Sequence, residues 1–317
     1  MPSPRSSTAV LLGAQRFQPS LGAVVAEIGV KGRIAVITAG WQEREPEDDD
    51  LSEHLEGRTV NLALHARGDA LFRVDAELHA AHRERQDTMR HLQDFYRIRL
   101  SHALEAERVV RAHAAPPAIR AEVEEATIEA IRDLDAWHLD QCARIRAAFD
   151  ERWRLHKRPS VQRQREQIGK LIDECAAVAI AGGHVATLIN RLLLFGIEEL
   201  VGERAVFAWS GGAMAVSDRV VLFHDDPPQG PSACEVLDVG LGIVPGVVVL
   251  PQPEQRLRLD DEDGLSLLAR RFAPAKCLAF PARAHVTWRR RGLTRADGVI
   301  SISTDGKATP FVTGGGR

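Results

Sequence analysis

Residues 204–217 constrain the fold of this chain more than any other part of the sequence. The segment begins with β-forming residues that end at Trp209, continues through Ser210 and two glycines, and then turns to helix-forming residues. A strand, a tight turn with a serine at its tip and a helix form a nucleophile elbow, which projects the serine hydroxyl beyond the edge of a sheet. Ala208 replaces the first glycine of the usual G-x-S-x-G pattern, and a glycine-rich turn without chemistry is the alternative interpretation.

Composition bounds the class of protein. The 317 residues are 44% hydrophobic and 27% charged, with a formal net charge of −3, which is ordinary for a globular protein and argues against nucleic acid as the main partner. Apolar runs are shorter than the roughly 20 residues that cross a bilayer, and no secretory leader is recognisable. Four scattered cysteines without a C-x-x-C pair indicate free thiols. We therefore expect a cytoplasmic protein that contacts neither nucleic acid nor membrane.

Short buried strands alternate with amphipathic helices through most of the chain. Residues 9–13 and 33–38 are predicted strands, and residues 19–29 between them are a predicted helix. Strand, helix and strand joined by short links are typical of a parallel sheet covered by helices. Further strands are predicted at 59–65, 176–181, 204–209, 219–223, 247–250, 276–280, 285–288 and 299–303. The sequence thus predicts an α/β fold with one parallel-rich sheet and helices on both faces.

Residues 67–159 interrupt this alternation. Two stretches rich in Ala, Arg, Glu and Leu flank Pro116 and Pro117, and each carries apolar residues at helical spacing. They predict a helical hairpin with arms of about 35 to 45 residues, inserted between two parts of the α/β domain, residues 1–66 and 160–317. Two isolated helices would leave an apolar stripe exposed. We therefore expect the hairpin to project from the sheet and to bind a second copy of the chain or another protein.

Two clusters of potential metal ligands occur, and neither predicts a metal site. Asp48, Asp49 and Asp50 are adjacent in an acidic stretch, for which a solvated loop is the simpler interpretation. His138 precedes Cys142 by four residues in the second helical stretch, but no further cysteine or carboxylate completes a set of four ligands. We expect neither a metal nor a cofactor.

A second glycine-rich turn follows the predicted strand at 176–181. It reads Gly182-Gly183-His184. Glycines at the carboxyl end of a parallel strand let the backbone approach a ligand and can present N–H groups to an oxyanion. A tight strand-to-helix turn without a ligand is the alternative interpretation, and for this turn taken alone it is the simpler one.

Four motifs together resemble the dipeptidase E and cyanophycinase family of serine peptidases, which has the class I glutamine amidotransferase-like α/β fold. They are the strand at 34–38, the glycine pair at 182–183, W-S-G-G-A at 209–213 and G-L-G-I-V-P-G-V-V-V at 240–249. The resemblance covers roughly residues 9–65 and 160–290 and is missing across the helical hairpin. It implies a hydrolase that needs no cofactor and takes a peptide or a small amide as its ligand.

The resemblance also implies roles for single residues. Ser210 takes the position of the nucleophile, and Gly183 and Gly211 take the oxyanion positions. Asp225 lies fifteen residues after Ser210, which is the spacing of the triad acid in the dipeptidases. Gln252 stands where the family has its catalytic histidine.

Gln252 leaves open what would activate Ser210. Glutamine cannot accept and return a proton near neutral pH, and losing a triad member costs about 10⁴- to 10⁶-fold in rate. His224 and His184 are the histidines that the sequence places near the site as possible bases. For each of them, a structural role is the alternative interpretation. Two functions stay open: a serine peptidase or amide hydrolase with a rearranged triad, and an inactive relative that binds a ligand or a protein. A serine rather than a cysteine at position 210 disfavours amidotransferase chemistry.

Overall fold

Strands and helices alternate through residues 8–223, 234–290 and 292–313, which are the residues that the computed structural model describes. The strands are β1 (Thr8–Leu12), β2 (Arg33–Ile37), β3 (Thr59–Asn61), β4 (Cys175–Ile180), β5 (Ala205–Trp209), β6 (Arg219–Leu222), β7 (Glu235–Val239), β8 (Val247–Pro251), β9 (Lys276–Phe280), β10 (His285–Arg289), β11 (Gly292–Asp297), β12 (Ile300–Ile302) and β13 (Ala308–Pro310). The helices are α1 (Leu21–Ile28), α2 (Asp49–His54), α3 (Leu64–Val74), α4 (Ala76–Ala112), α5 (Pro117–Trp153), α6 (Pro159–Asp173), α7 (Val185–Leu194), α8 (Ile197–Val201), α9 (Gly211–Val216), α10 (Pro253–Arg256) and α11 (Glu262–Phe272). Short 3-10 segments lie at Ala39–Arg44 and Leu155–Lys157.

A seven-stranded sheet in the order β11-β10-β1-β5-β4-β2-β3 forms the centre of the fold. The strands from β1 to β3 in this order are mutually parallel, whereas β10 and β11 run antiparallel at one edge. Both faces are covered: Leu11 of β1 belongs to one apolar core and Leu12 to the core on the opposite face. Burial on both faces explains why these strands are continuous apolar runs. The predicted α/β fold with a mostly parallel sheet and helices is confirmed.

The remaining strands do not extend this sheet, so the prediction of a single sheet is wrong. β8 and β9 are parallel and form a four-stranded sheet with β12 and β13, and β6 pairs with β7 alone among the described residues. Val248, Leu250 and Leu268 contribute to a separate core beneath these strands, the second core. Local sequence identifies a strand but not its neighbour, because tertiary contacts decide which strands pair.

The predicted insertion at 67–159 starts inside α3, and its two hairpin helices, α4 and α5, are 37 residues long each. The rest of the chain covers much of the predicted apolar stripe, so the expectation that the hairpin projects from the sheet with this stripe uncovered is wrong. That the hairpin binds a second copy or another protein stays a prediction. Tyr96, Leu100, Ile131 and Leu134 are buried in the second core together with Val236 of β7. The surface that covers them comes from residues about a hundred positions later, which the sequence of the hairpin alone cannot reveal.

A buried polar cluster holds the hairpin on the second core. Arg271 of α11 donates two hydrogen bonds to Asp135 of α5, and Tyr96 of α4 donates a third to the same carboxylate. The Tyr96 hydroxyl also accepts from the backbone N–H of Val236 at 3.1 Å. Burial raises the pKa of Tyr96 far above its ordinary value, so this hydroxyl stays protonated and can donate.

The two ends of the hairpin meet at its base. Asp75 caps α4 by accepting from the N–H of Leu78, and both of its oxygens accept from the Arg158 guanidinium at 2.6 Å. Ser160 donates a further hydrogen bond to the same carboxylate. The Arg158 hydrogen bonds hold the pKa of Asp75 well below its usual range. Asp75 and Arg158 therefore tie the start of α4 to the segment that follows α5.

None of the helices in the described residues is both long and apolar enough to cross a membrane.

Candidate active site

Ser210 lies at the carboxyl end of β5 and directly precedes α9. Its backbone has φ 51° and ψ −124°, a conformation that residues with a side chain rarely adopt. The strand before it pairs with β1 and β4 in the middle of the main sheet. The structure therefore contains the strand, tight turn and helix that the sequence predicts, with a half-buried serine at the tip.

The glycines around Ser210 allow two turns to pack against each other. A β-carbon on Gly182 would lie 2.7 Å from the β-carbon of Ser210, and one on Gly212 would lie 2.2 Å from the carbonyl oxygen of Ile180. Both distances are shorter than real β-carbons show. The turn after β4 and the elbow after β5 are thus in direct contact, which is why each requires small residues.

Gly183 and Gly211, the predicted oxyanion residues, are neighbours of Ser210 in this arrangement. Gly183 has φ 104°, and a β-carbon on Gly211 would lie 3.1 Å from the carbonyl oxygen of Gly183. In the described part of the chain, neither backbone N–H group has a hydrogen-bond acceptor. The structure therefore brings Ser210 together with two free backbone donors, the groups that an oxyanion hole uses.

His184 is used as a helix cap. Its Nδ1 accepts a hydrogen bond from the backbone N–H of Thr187, and the Thr187 hydroxyl lies 2.9 Å from the same nitrogen. Because Nδ1 accepts, the neutral ring carries its proton on Nε2. His184 would have to give up this capping bond before its Nε2 lone pair could take a proton from Ser210.

Gln42 lies at the same edge of the main sheet as Ser210, and nothing in the sequence marks it as a site residue. Its φ of 59° and ψ of −124° nearly repeat those of Ser210, and its Nε2 donates to the Thr187 hydroxyl at 3.1 Å. The neighbouring Trp41 lines the glycine turn, because a β-carbon on Gly183 would lie 3.0 Å from its ring. Strained non-glycine residues cluster at functional sites. A glycine would have signalled this turn in the sequence, and glutamine does not.

The acidic stretch near Gln42 is ordered and carries no metal-like cluster. Asp48 accepts a hydrogen bond from Asn61 at 3.0 Å, and Asp49 and Asp50 are in the first turn of α2. Over the described ranges, no group of three or more His, Cys, Asp or Glu side chains is arranged to hold a metal ion. The expected loop is therefore partly helical.

Gln252 lies at the carboxyl end of β8, in the four-stranded sheet. Its backbone is left-handed, with φ 57° and ψ 53°, and its N–H donates to the carbonyl oxygen of Phe280 at 3.2 Å. α9, the helix behind Ser210, packs against β8. Within the described residues the Ser210 hydroxyl makes no hydrogen bond to Gln252 or to any histidine. His224 and Asp225, the other predicted site residues, lie outside the described residues.

A third histidine, His285, lies at the same edge of the main sheet and was missed by the sequence analysis. It pairs with Leu12 of β1, which in turn pairs with Trp209 of β5. Two strand spacings of about 4.8 Å therefore separate His285 from the residue before Ser210. Its Nε2 is buried and has no hydrogen-bond partner among the described residues.

No family model and no curated protein matches the chain.

Proposed function

We propose that this protein is a serine-type hydrolase of peptides or small amides, built on a class I glutamine amidotransferase-like fold, with Ser210 as its nucleophile. The backbone of Ser210 supports this proposal most directly. Such conformations cost about 1–3 kcal/mol and persist where the surrounding structure enforces them, chiefly at functional sites. Glycine would satisfy the same turn without strain, so a serine at this position supports a role for its hydroxyl.

Ser210 would attack the carbonyl carbon of the ligand as its hydroxyl proton passes to a base, and the N–H groups of Gly183 and Gly211 would stabilise the negative charge that develops on the carbonyl oxygen. The C–N bond would then break, the amine would leave with that proton, and water would hydrolyse the ester formed on Ser210. Preorganised donors of this kind contribute about 10²- to 10³-fold in rate each. The two glycines have no competing acceptors in the described part of the chain. No cofactor takes part in this scheme.

The base is the missing element of the site. Gln252 cannot move a proton, and His184 uses Nδ1 as a helix cap. His224 and His285 are the further candidates, the first beside Asp225 in sequence and the second at the same edge of the sheet. Without a positioned base the serine keeps only the oxyanion donors and binding, so we propose a slow enzyme.

Gln252 favours a second candidate function, a binding protein that holds a peptide or amide without cleaving it. A glutamine amide donates and accepts hydrogen bonds and can recognise a peptide group. The strained elbow and the free donors would then serve as a binding site for a carbonyl group.

A fluorophosphonate probe, which labels activated serines, tests the hydrolase. We expect slow labelling of the native protein, no labelling of Ser210→Ala, and unchanged labelling of Ser101→Ala, in which an exposed serine of α4 is removed. His184→Asn, His224→Asn and His285→Asn identify the base, because only its loss should abolish labelling without changing the far-ultraviolet circular dichroism spectrum.

The same probe separates the two functions. An unlabelled native protein together with a labelled Gln252→His variant would reject the hydrolase and support the binding protein. If neither protein is labelled, Ser210 is not in a serine-hydrolase site of any kind. Labelling that survives Ser210→Ala would also contradict the proposal.

A further inference from the structure

A cavity of about 170 Å³ lies between the hairpin and the helices α7 and α8. Its lining includes Arg85 of α4, Asp150 of α5, Leu192 of α7 and Ile197 of α8, and these residues are different from those of the candidate active site. Pockets for drug-sized ligands measure about 300–1,000 Å³, so this cavity suits a smaller molecule.

The guanidinium of Arg85 has fewer acceptors than it can use. Of its five N–H donors, one donates to Asn190 Oδ1 at 3.3 Å, and that oxygen also accepts from Gln86 at 2.9 Å. Its central carbon lies 4.4 Å from the centre of the Phe149 ring. Burial, followed by the positive charge of Arg146, lowers the pKa of Arg85 to about 10. An anion in the cavity would accept from the donors that the described residues leave unpaired.

The carboxylate of Asp150 is an acceptor without a donor. It lines the same cavity, and no side chain of the described residues forms a hydrogen bond or an ion pair with it. The charges of Arg85 and Arg146 act on it through space, without contact. The cavity thus has unused donors on α4 and an unused acceptor on α5, so a ligand that carries both an anionic and a cationic group would satisfy both.

The rest of the lining is mostly aliphatic, and other charged groups in it have partners. Arg146 donates to Asp238, and Glu199 accepts from Arg165 at 2.7 Å. Glu198 adds a second carboxylate to the lining. The aliphatic residues are Leu155, Leu192, Leu193, Ile197 and Leu241. Small-molecule sites combine an apolar lining with a few polar groups that fix the orientation of the ligand.

We propose that this cavity binds a zwitterionic amino acid with an aliphatic side chain. The carboxylate of the ligand accepts from Arg85, its ammonium group donates to Asp150, and its side chain contacts the aliphatic residues of α7 and α8. Pairing each buried charge with one of opposite sign offsets the cost of removing it from water. The proposal does not depend on the proposed hydrolase.

Isothermal titration calorimetry of the full chain with L-leucine, up to about 10 mM, tests the proposal. We expect saturable binding of leucine. Leucinamide, which lacks the carboxylate, and N-acetyl-leucine, which lacks the ammonium group, should each bind at least about tenfold more weakly, because each loses a charge-assisted hydrogen bond. The three ligands are compared on the native protein, so this comparison does not depend on the folding of a variant.

Two variants locate the bound amino acid. Arg85→Met keeps an unbranched side chain beside Phe149 but removes the guanidinium, and Asp150→Asn keeps the shape of the carboxylate. Each should weaken leucine binding at least about tenfold. The matched controls are Arg83→Met and Asp133→Asn, which change exposed residues of the same two helices and should leave the affinity unchanged.

Ser210→Ala separates this cavity from the candidate active site, and it should bind leucine as the native protein does. The proposal is overturned if leucine does not bind, or if leucinamide and N-acetyl-leucine bind as tightly as leucine. It is also overturned if Arg85→Met and Asp150→Asn keep the native affinity, or if Ser210→Ala loses it, because the amino acid would then bind elsewhere.

Discussion

Arg271 and Asp135 form a bidentate ion pair, with nitrogen–oxygen distances of 2.7 and 2.8 Å, that joins α11 to the second helix of the hairpin. Both side chains are buried, with exposed fractions of 3% and 4%. A guanidinium in this position needs acceptors on every side, and the carbonyl oxygen of Cys234 accepts from it as well. The hairpin is therefore a part of the folded protein and not an appendage.

Asp135→Ala is expected to lower the free energy of unfolding by about 3–5 kcal/mol, because it leaves the buried Arg271 charge without its carboxylate. Urea denaturation measures the loss. Asp87→Ala, which removes an exposed carboxylate of α4, should change stability by less than about 0.5 kcal/mol. The double variant Asp135→Leu with Arg271→Met should recover much of the loss; equal losses in the single and double variants would contradict this account.

Ser210→Gly is expected to be more stable than Ser210→Ala by about 1 kcal/mol, since glycine adopts φ 51° without strain. Thermal and urea denaturation of the two variants measure the difference. Ser101 provides a control of opposite sign: it is exposed within α4, where glycine is less stable than alanine by about 0.5–1 kcal/mol. If glycine is the less stable residue at both positions, Ser210 is not strained.

Gly183→Ala is expected to lower the free energy of unfolding by more than the strain of its positive φ alone would. The new β-carbon would lie 2.4 Å from the carbonyl oxygen of Gly40, and φ is 104°. Gly29→Ala is the matched control, because Gly29 also has positive φ but has nothing within 4 Å of the new β-carbon. The control should cost about 1 kcal/mol and Gly183→Ala more. Equal losses in urea denaturation would show that the turn has room to move.

His82 is expected to make the protein less stable in acid. Burial lowers its pKa from 6.5 to about 3, with the nearby positive charge of Arg85 and Arg191 acting in the same direction. A group whose pKa is lower in the folded protein than in the unfolded chain contributes stability at pH values above its unfolded pKa. Stability therefore falls as pH drops through 6.5 toward 3. The loss between pH 6.5 and 4.5 is about 2–3 kcal/mol.

His82→Leu tests this expectation, because the buried Nε2 has no hydrogen-bond partner in the described part of the chain to lose. The variant should lose less stability than the native protein between pH 6.5 and 4.5, as measured by urea denaturation at each pH. His113→Asn removes an exposed histidine, and its free energy of unfolding should depend on pH as steeply as that of the native protein. If the free energy of unfolding of His82→Leu depends on pH as steeply as that of the native protein, protonation of His82 does not destabilise the fold.

Features that depend on local sequence were predictable. The predicted strand at 33–38 corresponds to Arg33–Ile37, and the serine turn was recognisable because Gly211 and Gly212 follow it. Features that depend on distant partners were not. Nothing near Val247–Pro251 shows that this strand leaves the main sheet, and nothing near Gln42 shows a strained turn. The alternation of strands and helices and the glycine turns depend on a few neighbouring residues, whereas strand pairing and backbone strain depend on the whole fold.

The ion pair at the base of the hairpin bears on how the chain finds its fold. β2 pairs with β4, which lies beyond the whole hairpin, so the sheet must close a very long loop. The cost of closure rises with the logarithm of loop length, and distant pairings slow folding. Once α4 and α5 have paired and Asp75 binds Arg158, the loop that the pairing of β2 with β4 must close contains only the residues between β2 and Asp75 and those between Arg158 and β4. Early hairpin formation would then set the folding rate, and Asp75→Asn should slow refolding in stopped-flow measurements more than it speeds unfolding.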